Sequence, residues 1–309
     1  AGMRYEEEKE TNMEMMEEKA QAKVRGRVDG LHFVVSGFTN LSHDHLDDFG
    51  DMDSYLAAKA RLFEVEVSDQ AVIFSDTKSG QRLLKVIEIP SVSLGTTENT
   101  QLRFSSSQEQ QATRVQFPGH SINILAENTG PLMAQNFALA LGMMLTAGVT
   151  GLDSVSKIDG FVPGRLEKVH AKPDVYLDYA HTPEAIALAL RELKARYSKV
   201  SALIGFSGER DHSKRKPMIE FAALADRVIA TTQHPRSEGP EQILADIKRH
   251  KADMETEAEP VAALQRLADG LSEDDCLVWF GPGNLEYREF SDGKRPYFPR
   301  EVIAEVFGD

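Results

Sequence analysis

The sequence predicts an α/β protein in two parts, the second of which is a doubly wound parallel sheet. Three observations support this prediction. Between residues 175 and 307, short apolar runs alternate with amphipathic helical segments, which is typical of βαβ units. Between residues 92 and 127, short alternating runs separated by polar turns indicate a small antiparallel patch. Gly and Pro residues at 159–164 mark a boundary between the two parts.

Composition limits the classes of function. The 309 residues are enough for two domains, and a net charge of −14 argues against nucleic-acid and membrane-surface binding, because both targets are anionic. No run of about 18 apolar residues occurs, and the first 30 residues show no signal-peptide pattern, so no membrane insertion is expected. The single cysteine, Cys276, cannot form an internal disulfide, which favours a reducing, cytoplasmic location.

The first part divides at its amino end. Residues 1–25 are charged, lack proline and are rich in helix-forming residues, so we expect a solvated helix or a partly ordered segment there. The first domain then covers residues 26–160 and opens with an apolar run at 32–35, which predicts a buried strand.

A polar loop and a helix follow this strand. The loop is dense in possible ligands, namely Asn40, His43, Asp44, His45, Asp47 and Asp48. The helix is expected to start near Asp51 and places Lys59 on or beside an apolar face with Leu56 and Phe63. Lys59 either extends its ammonium to water or is a buried lysine with altered chemistry near metal-binding residues, and both interpretations stay open.

The rest of the first domain contains two further apolar runs, at 70–76 and 83–89, and then a long helix. This helix, at 130–148, is apolar on most sides and is expected to be buried. Asn136 lies in its middle, and a buried amide requires partners. A structural role for Asn136 and contact with a ligand are equally compatible with the pattern.

The second domain, residues 161–309, has regular alternation. The predicted strands are 175–179, 200–206, 228–232 and 276–280, and the predicted helices are 183–197, 216–225, 240–251, 260–271 and 299–307. Ligands bind such sheets at the carboxyl ends of the strands. Here these ends lead into the polar segments DYAHTP, GFSGERDHSKR, TTQHPRSE and GPGN.

Charged residues in these segments are candidate ligand contacts. Asp178 ends a buried strand, where packing does not explain a carboxylate, whereas Thr182 and Pro183 beside His181 form an ordinary helix start. Cationic residues at 210–216 form either a solvated turn or a site for phosphate or carboxylate. Arg236 offers a second planar fork for a carboxylate.

Several motifs together resemble the Mur ligase family, in particular members that add the third amino acid to UDP-N-acetylmuramoyl-L-alanyl-D-glutamate. The motifs are FTNLSHDHLD at 38–47, DMDSYLAAKARLF at 51–63, VPGR at 162–165, DYAHTP at 178–183, G-x-x-GERD-x-x-KR at 205–215, HPRSE at 234–238, and the closing EYREF and PREV. The resemblance covers residues 26–309. It implies a partial central ATPase-type domain followed by a Rossmann-like C-terminal domain.

The resemblance also implies a reaction. ATP would phosphorylate the carboxylate of a UDP-N-acetylmuramoyl-dipeptide, and the amine of an incoming amino acid would attack the acyl phosphate. Mg²⁺ would neutralise the crowded oxygens. Lys59, as a carbamylated lysine, and His45 would be the catalytic, metal-binding residues, with Glu17 as a possible third ligand.

Other residues take substrate roles by the same resemblance. The ATP contacts would be Asn136, Arg165, Asp178 and His181, the amino-acid contacts Arg210, His234 and Arg236, and the UDP-sugar contact Arg27.

The sequence departs from the family pattern in two ways. It contains no G-x-x-G-K-[ST] phosphate loop and no N-terminal UDP-binding domain. Neutral residues, Gln233 and Leu285, replace two acids that diaminopimelate-adding members carry, so diaminopimelate is not the expected substrate.

Three interpretations remain. The chain is an incomplete ligase, either an incomplete reading frame or one piece of a split enzyme to which a partner chain supplies the phosphate loop. Alternatively, it is a non-catalytic Mur-ligase-like binding or regulatory protein. A folylpolyglutamate-type ligase fits the HPRSE and closing motifs less well.

Overall fold

The computed structural model describes residues 30–41, 49–107, 112–117, 122–127, 129–209 and 212–308. It contains two α/β lobes, each built on its own sheet. This confirms the predicted mixed α/β class with parallel strands. In the described parts of the chain, no helix is long and apolar enough to span a bilayer.

The first lobe has a sheet of seven strands in sequence order. Its strands are β1 (Phe33–Phe38), β2 (Ser68–Phe74), β3 (Ser91–Gly95), β4 (Leu102–Ser107), β5 (Ala112–Gln116), β6 (Asn123–Glu127) and β7 (Lys157–Asp159). Its helices are α1 (Met52–Ala60), α2 (Lys78–Leu83) and α3 (Gly130–Thr146). Strands β4, β5 and β6 pair antiparallel and the others pair parallel, which confirms the antiparallel patch.

One strand prediction for the first lobe is wrong. β1 is not fully buried, because it forms the edge of the described sheet and leaves Val34 58% exposed. The apolar run at 83–89 begins at the last residue of α2 and continues through a turn at 84–86. Thr77 caps α2 by accepting a hydrogen bond from the Gly80 N–H at 3.1 Å. The third strand, β3, begins only after Pro90.

α3 is buried on one side only. Ala134, Ala138 and Leu141 are buried in the cluster that α3 forms with the sheet. Asn136 is exposed, and its Nδ2 contacts Met133 Sδ at 3.9 Å. The expectation that Asn136 is buried is therefore wrong. Two residues turn a helix by about 200°, which places Asn136 opposite Ala134.

The second lobe has a six-stranded sheet in the order β12-β11-β10-β13-β9-β8. Its strands are β8 (Glu167–His170), β9 (Asp174–Asp178), β10 (Val200–Phe206), β11 (Arg227–Thr232), β12 (Glu255–Thr256) and β13 (Cys276–Phe280). Its helices are α4 (Pro183–Lys194), α5 (Arg215–Ala222), α6 (Pro240–His250), α7 (Pro260–Ala268) and α8 (Pro299–Phe307). A hairpin of β14 (Tyr287–Phe290) and β15 (Gly293–Pro296) precedes α8.

Helices cover both faces of this sheet, as predicted for a doubly wound fold. α4, α5 and α6 bury their apolar sides on one face, and α7 and α8 bury theirs around Trp279 on the other. β8 alone runs antiparallel to its neighbour. The loops after β9, β10, β11 and β13 therefore meet at one edge of the sheet.

The buried thiol at the start of β13 yields a test of this core. Cys276 is fully buried, and burial raises its pKa to about 12. Because the thiolate is the reactive form, we expect no labelling of the native protein by a disulfide reagent at about pH 8, and full labelling in guanidinium chloride. Rapid labelling of the native protein would contradict the burial. The Cys276→Ser variant serves as the blank in both conditions.

Candidate active site

The loop that joins the two lobes, residues 160–166, lies against the strand ends of the second lobe. The carbonyl of Gly164 accepts a hydrogen bond from the N–H of Tyr179 at 2.9 Å. Gly164 has a φ of +71°, and a Cβ at this position would lie 2.5 Å from the nitrogen of Asn284. Only glycine permits both the conformation and the approach to the loop after β13.

An exposed cation lies on an aromatic ring beside this loop. The guanidinium carbon of Arg165 is 5.1 Å from the ring centre of Tyr179. The ring of His181 meets Tyr179 edge-on at 5.2 Å, and its Nδ1 lies 2.9 Å from the Tyr179 carbonyl. An arginine oriented in this way offers N–H donors to an anion, and the rings offer faces to a planar base.

Asp178 binds the backbone of the segments that carry Arg165 and Tyr179. It is 2% exposed, and its two oxygens accept hydrogen bonds from the N–H groups of Ala180 at 2.7 Å and Leu166 at 2.8 Å. Burial raises the pKa of the Asp178 carboxyl, against the opposing effect of these amides and of Arg165 and His181. The structure therefore brings together Arg165, Asp178 and His181, whereas Asn136 lies on α3 of the first lobe.

The segment after β11 carries the second predicted group. His234 Nδ1 accepts a hydrogen bond from the N–H of Glu289 at 3.1 Å. Arg236 donates from Nε to Glu289 Oε2 at 3.0 Å and from Nη1 to the carbonyl of Gly208 at 2.9 Å. The protein therefore occupies donors on Nε and Nη1 of Arg236, and β14 and the loop after β10 fix the orientation of its guanidinium.

A buried amide lies next to this group. Gln233 is 2% exposed, and in the part of the chain that the structure describes neither its Nε2 nor its Oε1 has a hydrogen-bond partner. A Cβ on Gly205 would lie 3.0 Å from Gln233 Oε1, so the amide fills the space between neighbouring strand ends. Sequence comparison indicated Gln233 as a replaced acid, but not its burial.

Of the cationic segment at 210–216, the structure describes residues 212–216, and these include a buried arginine. Arg215 is 2% exposed and donates to Glu238 at 3.0 and 2.7 Å and to Asp246 at 2.8 Å. Burial lowers the pKa of Arg215, but these carboxylates outweigh it and raise the pKa. Lys216 is exposed near Glu220. Both expectations for Arg215, a solvated turn and an anion site, are therefore wrong, because its donors are used within the protein.

Sequence reasoning could not find these partners. Glu238 and Asp246 lie 23 and 31 residues after Arg215, and no local pattern links them. Arg288 was also missed: it is buried and donates to the carbonyls of Gln233 and Thr232. It fastens the β14 segment to the end of β11.

Lys59 lies on α1 in the first lobe. It is half-buried, and its Nζ is 5.1 Å from the ring centre of Tyr55, one turn earlier. Within the described ranges, no group of three or more His, Cys, Asp or Glu side chains could hold a metal ion. The predicted contacts Glu17, Arg27, His45 and Arg210 lie outside the described residues.

The order of the lobes agrees with comparison to known families. Residues 3–144 match the family model of the Mur ligase middle domain, and residues 164–283 match that of the Mur ligase glutamate ligase domain. The chain belongs to the Mur ligase family. The first match begins inside the predicted charged segment 1–25, and the boundaries at 25 and 160 stay predictions.

Two curated proteins are similar to this chain over most of its length. The chain is 33% identical to a UDP-N-acetylmuramyl-tripeptide synthetase of Leifsonia xyli subsp. xyli, over 93% of this chain and 60% of the relative. It is 33% identical to a UDP-N-acetylmuramoyl-L-alanyl-D-glutamate--2,6-diaminopimelate ligase of Aquifex aeolicus, over 91% of this chain and 60% of that protein. The chain thus spans about 60% of the length of both curated relatives.

A solved structure shares the fold. The MurF ligase from Thermotoga maritima in complex with ADP aligns with a TM-score of 0.64 and 18% identity, over 92% of this chain and 63% of that chain.

The buried position of Arg215 predicts a large effect on stability. Arg215→Met leaves Glu238 and Asp246 without their main partner, and we expect a loss of about 3–5 kcal/mol in the free energy of unfolding in urea. The exposed Arg82–Asp53 pair is the control, and Arg82→Met should cost less than about 1 kcal/mol. Equal losses in the two variants would contradict the structural role of Arg215.

Proposed function

We propose that the chain is the catalytic part of an ATP-dependent ligase, which joins an amino acid to a UDP-N-acetylmuramoyl-dipeptide in cytoplasmic peptidoglycan synthesis. The observation that carries this proposal is the exposed Arg165 on the ring of Tyr179, on a loop held by the buried Asp178. The names of the two curated relatives support the reaction class.

The residues at this edge fit a nucleotide. ATP supplies the phosphoryl group that activates the acceptor carboxylate. Arg165 binds its phosphate oxygens, because the guanidinium is exposed and presents several N–H donors. His181 and Tyr179 offer ring faces beside it. Asn136, exposed on α3, would reach the nucleotide from the first lobe.

The segment after β11 fits the carboxylate of the incoming amino acid. Arg236 binds this carboxylate with the N–H donors that Glu289 and Gly208 do not use. His234 and Arg210 are the further contacts that the family resemblance implies. The neutral, buried Gln233 offers no charge to a second ammonium group. An amino acid with a single amine therefore fits this pocket better than diaminopimelate.

In the first lobe, Lys59 is the proposed carbamylated residue, with His45 and Glu17 as further Mg²⁺ ligands and Arg27 on the UDP-sugar side. The half-buried position of Lys59 on α1 supports the proposal, since a carbamate there would be partly shielded from water.

Carbamylation of Lys59 can be observed directly. In buffer with ¹³C-bicarbonate, we expect a carbamate carbon signal in the wild-type NMR spectrum and none in Lys59→Met. Lys199→Met is the matched control, because Lys199 is tied to Asp275 at 3.0 Å and should leave the signal unchanged. A wild-type spectrum without the signal would sink the role proposed for Lys59.

A second candidate function is binding or regulation without catalysis. These 309 residues span about 60% of the length of the curated relatives and contain no G-x-x-G-K-[ST] loop. Without that loop the β- and γ-phosphates lack both a cradle of backbone N–H groups and a lysine. A partner chain that carries the loop would complete the ligase.

The affinity for ATP distinguishes these cases. For this chain alone we expect a dissociation constant in about the millimolar range by calorimetry, since only the Arg165 side of the site holds the nucleotide. Arg165→Ala should abolish the residual heat, and Arg295→Ala, an exposed arginine on the β15 strand, should not. A micromolar constant would overturn the half-site interpretation. ATP binding that is unchanged in the Arg165→Ala variant would overturn the role proposed for Arg165.

A further inference from the structure

The loop that presents Arg165 has an unusual backbone. Gly164 has a φ of +71° and Leu166 has a φ of +42°, which lies in the left-handed region that a leucine rarely adopts. Such a conformation persists only where surrounding contacts determine it. The loop therefore depends on the groups that bind its N–H donors.

Two carboxylates bind those donors. The N–H of Leu166 donates to Asp178 at 2.8 Å, and the N–H of Gly164 donates to Glu167 Oε2 at 2.7 Å. Glu167 is 9% exposed at the start of β8. A charged acceptor makes these hydrogen bonds stronger than those to a neutral acceptor.

A residue from the far end of the chain orients Glu167. Arg300 lies in the first turn of α8, 133 residues later in the sequence. Its Nε donates to Glu167 Oε1 at 3.0 Å and its Nη2 donates to Glu167 Oε2 at 2.5 Å. This two-pronged contact fixes the plane of the carboxylate, so that Oε2 faces the N–H of Gly164.

α8 is a firm support for this contact. Val302 and Ile303 are buried in the cluster that contains Trp279 and the helix α7. The core on one face of the second sheet thus sets the position of Arg300. Arg300 in turn orients Glu167, which binds the loop at the sheet edge.

We propose that Arg300 is a positioning residue, which acts through Glu167 to hold the loop 162–166 in the conformation that presents Arg165 to the phosphates of a nucleotide. The nucleotide in this inference comes from the proposed function. The control of the loop by Arg300 rests on the contacts of Glu167. Arg300 acts on the loop through Glu167 and not through a substrate.

A positioning role differs measurably from a role in global stability. The Arg300 side chain is 40% exposed, against 3% for Arg215, so loss of Arg300 should cost less unfolding free energy than loss of Arg215, although its partner Glu167 is buried. The N–H of Gly164, in contrast, is buried with Glu167 as its acceptor. Loss of Arg300 should loosen the loop much more than it loosens the lobe.

Amide hydrogen exchange by mass spectrometry, without nucleotide, tests this difference. For Arg300→Met we expect exchange in peptides covering residues 161–166 to be about tenfold faster than in wild type, with β10 unchanged. Arg300→Lys, which keeps the charge but not the fork, should be intermediate. The control is Arg295→Met, which removes an exposed arginine paired with Asp292 and should leave the loop unchanged.

Glu167→Gln provides a second variant that does not alter α8. Its amide group replaces one acceptor oxygen with a donor, so it should accelerate exchange of the same loop peptide. Unchanged loop exchange in both Arg300→Met and Glu167→Gln would overturn the proposal. Acceleration that spreads equally over β9, β10 and β13 would overturn it as well, because it would show a structural role only.

Addition of Mg-ATP at about 10 mM separates this proposal from the proposed function. Protection of the loop peptide in wild type and not in Arg165→Ala supports both. If ATP gives no protection while Arg300→Met still loosens the loop, the nucleotide role of Arg165 fails and the control of the loop by Arg300 stands.

Discussion

The second lobe depends on the buried carboxylate at the end of β9. An unpaired carboxylate in the interior is costly, and Asp178 is retained there because two backbone N–H groups donate to its oxygens. One of these, from Leu166, belongs to the segment that enters the lobe. The hydrogen bond thus fixes both the start of the lobe and the platform of Arg165 and Tyr179. An aliphatic residue at position 178 would accept neither N–H and would leave that loop without this anchor.

Carboxylates also bind cationic side chains at the neighbouring strand ends. Glu238 binds Arg215, and Glu289 binds Arg236 while its backbone N–H donates to His234. Charged residues that look like ligand contacts in the sequence therefore divide into two groups. The N–H donors of Arg215 are occupied by carboxylates of the protein, whereas Arg165 is exposed. The physical basis of the division is the number of N–H donors that the protein itself occupies.

The sequence predicted those features that depend on local periodicity. Strands at 200–206 and 276–280 and the helix at 299–307 are confirmed with the same bounds, because apolar runs bounded by turns leave little choice of register. It failed where contacts distant in sequence decide. Asn136 lies on a helix so rich in apolar residues that its exposed side gives a weak signal, and the burial of Arg215 depends on two carboxylates from α6 and its preceding loop. The Arg165–Tyr179 contact likewise needs the fold of the loop.

The candidate site has one half on each lobe, so its geometry depends on how the lobes meet. They touch where α4 meets the start of α3, since a Cβ on Gly130 would lie 2.7 Å from Glu192 Oε1. A carboxylate at a helix N-terminus interacts favourably with the partial positive charge there. Glu192 is also paired with Arg196 at 3.0 Å and is almost fully buried, so this contact resists solvent. The N-terminal end of α3 is therefore already occupied by a protein carboxylate, which leaves it unfavourable for an anionic ligand because like charges repel.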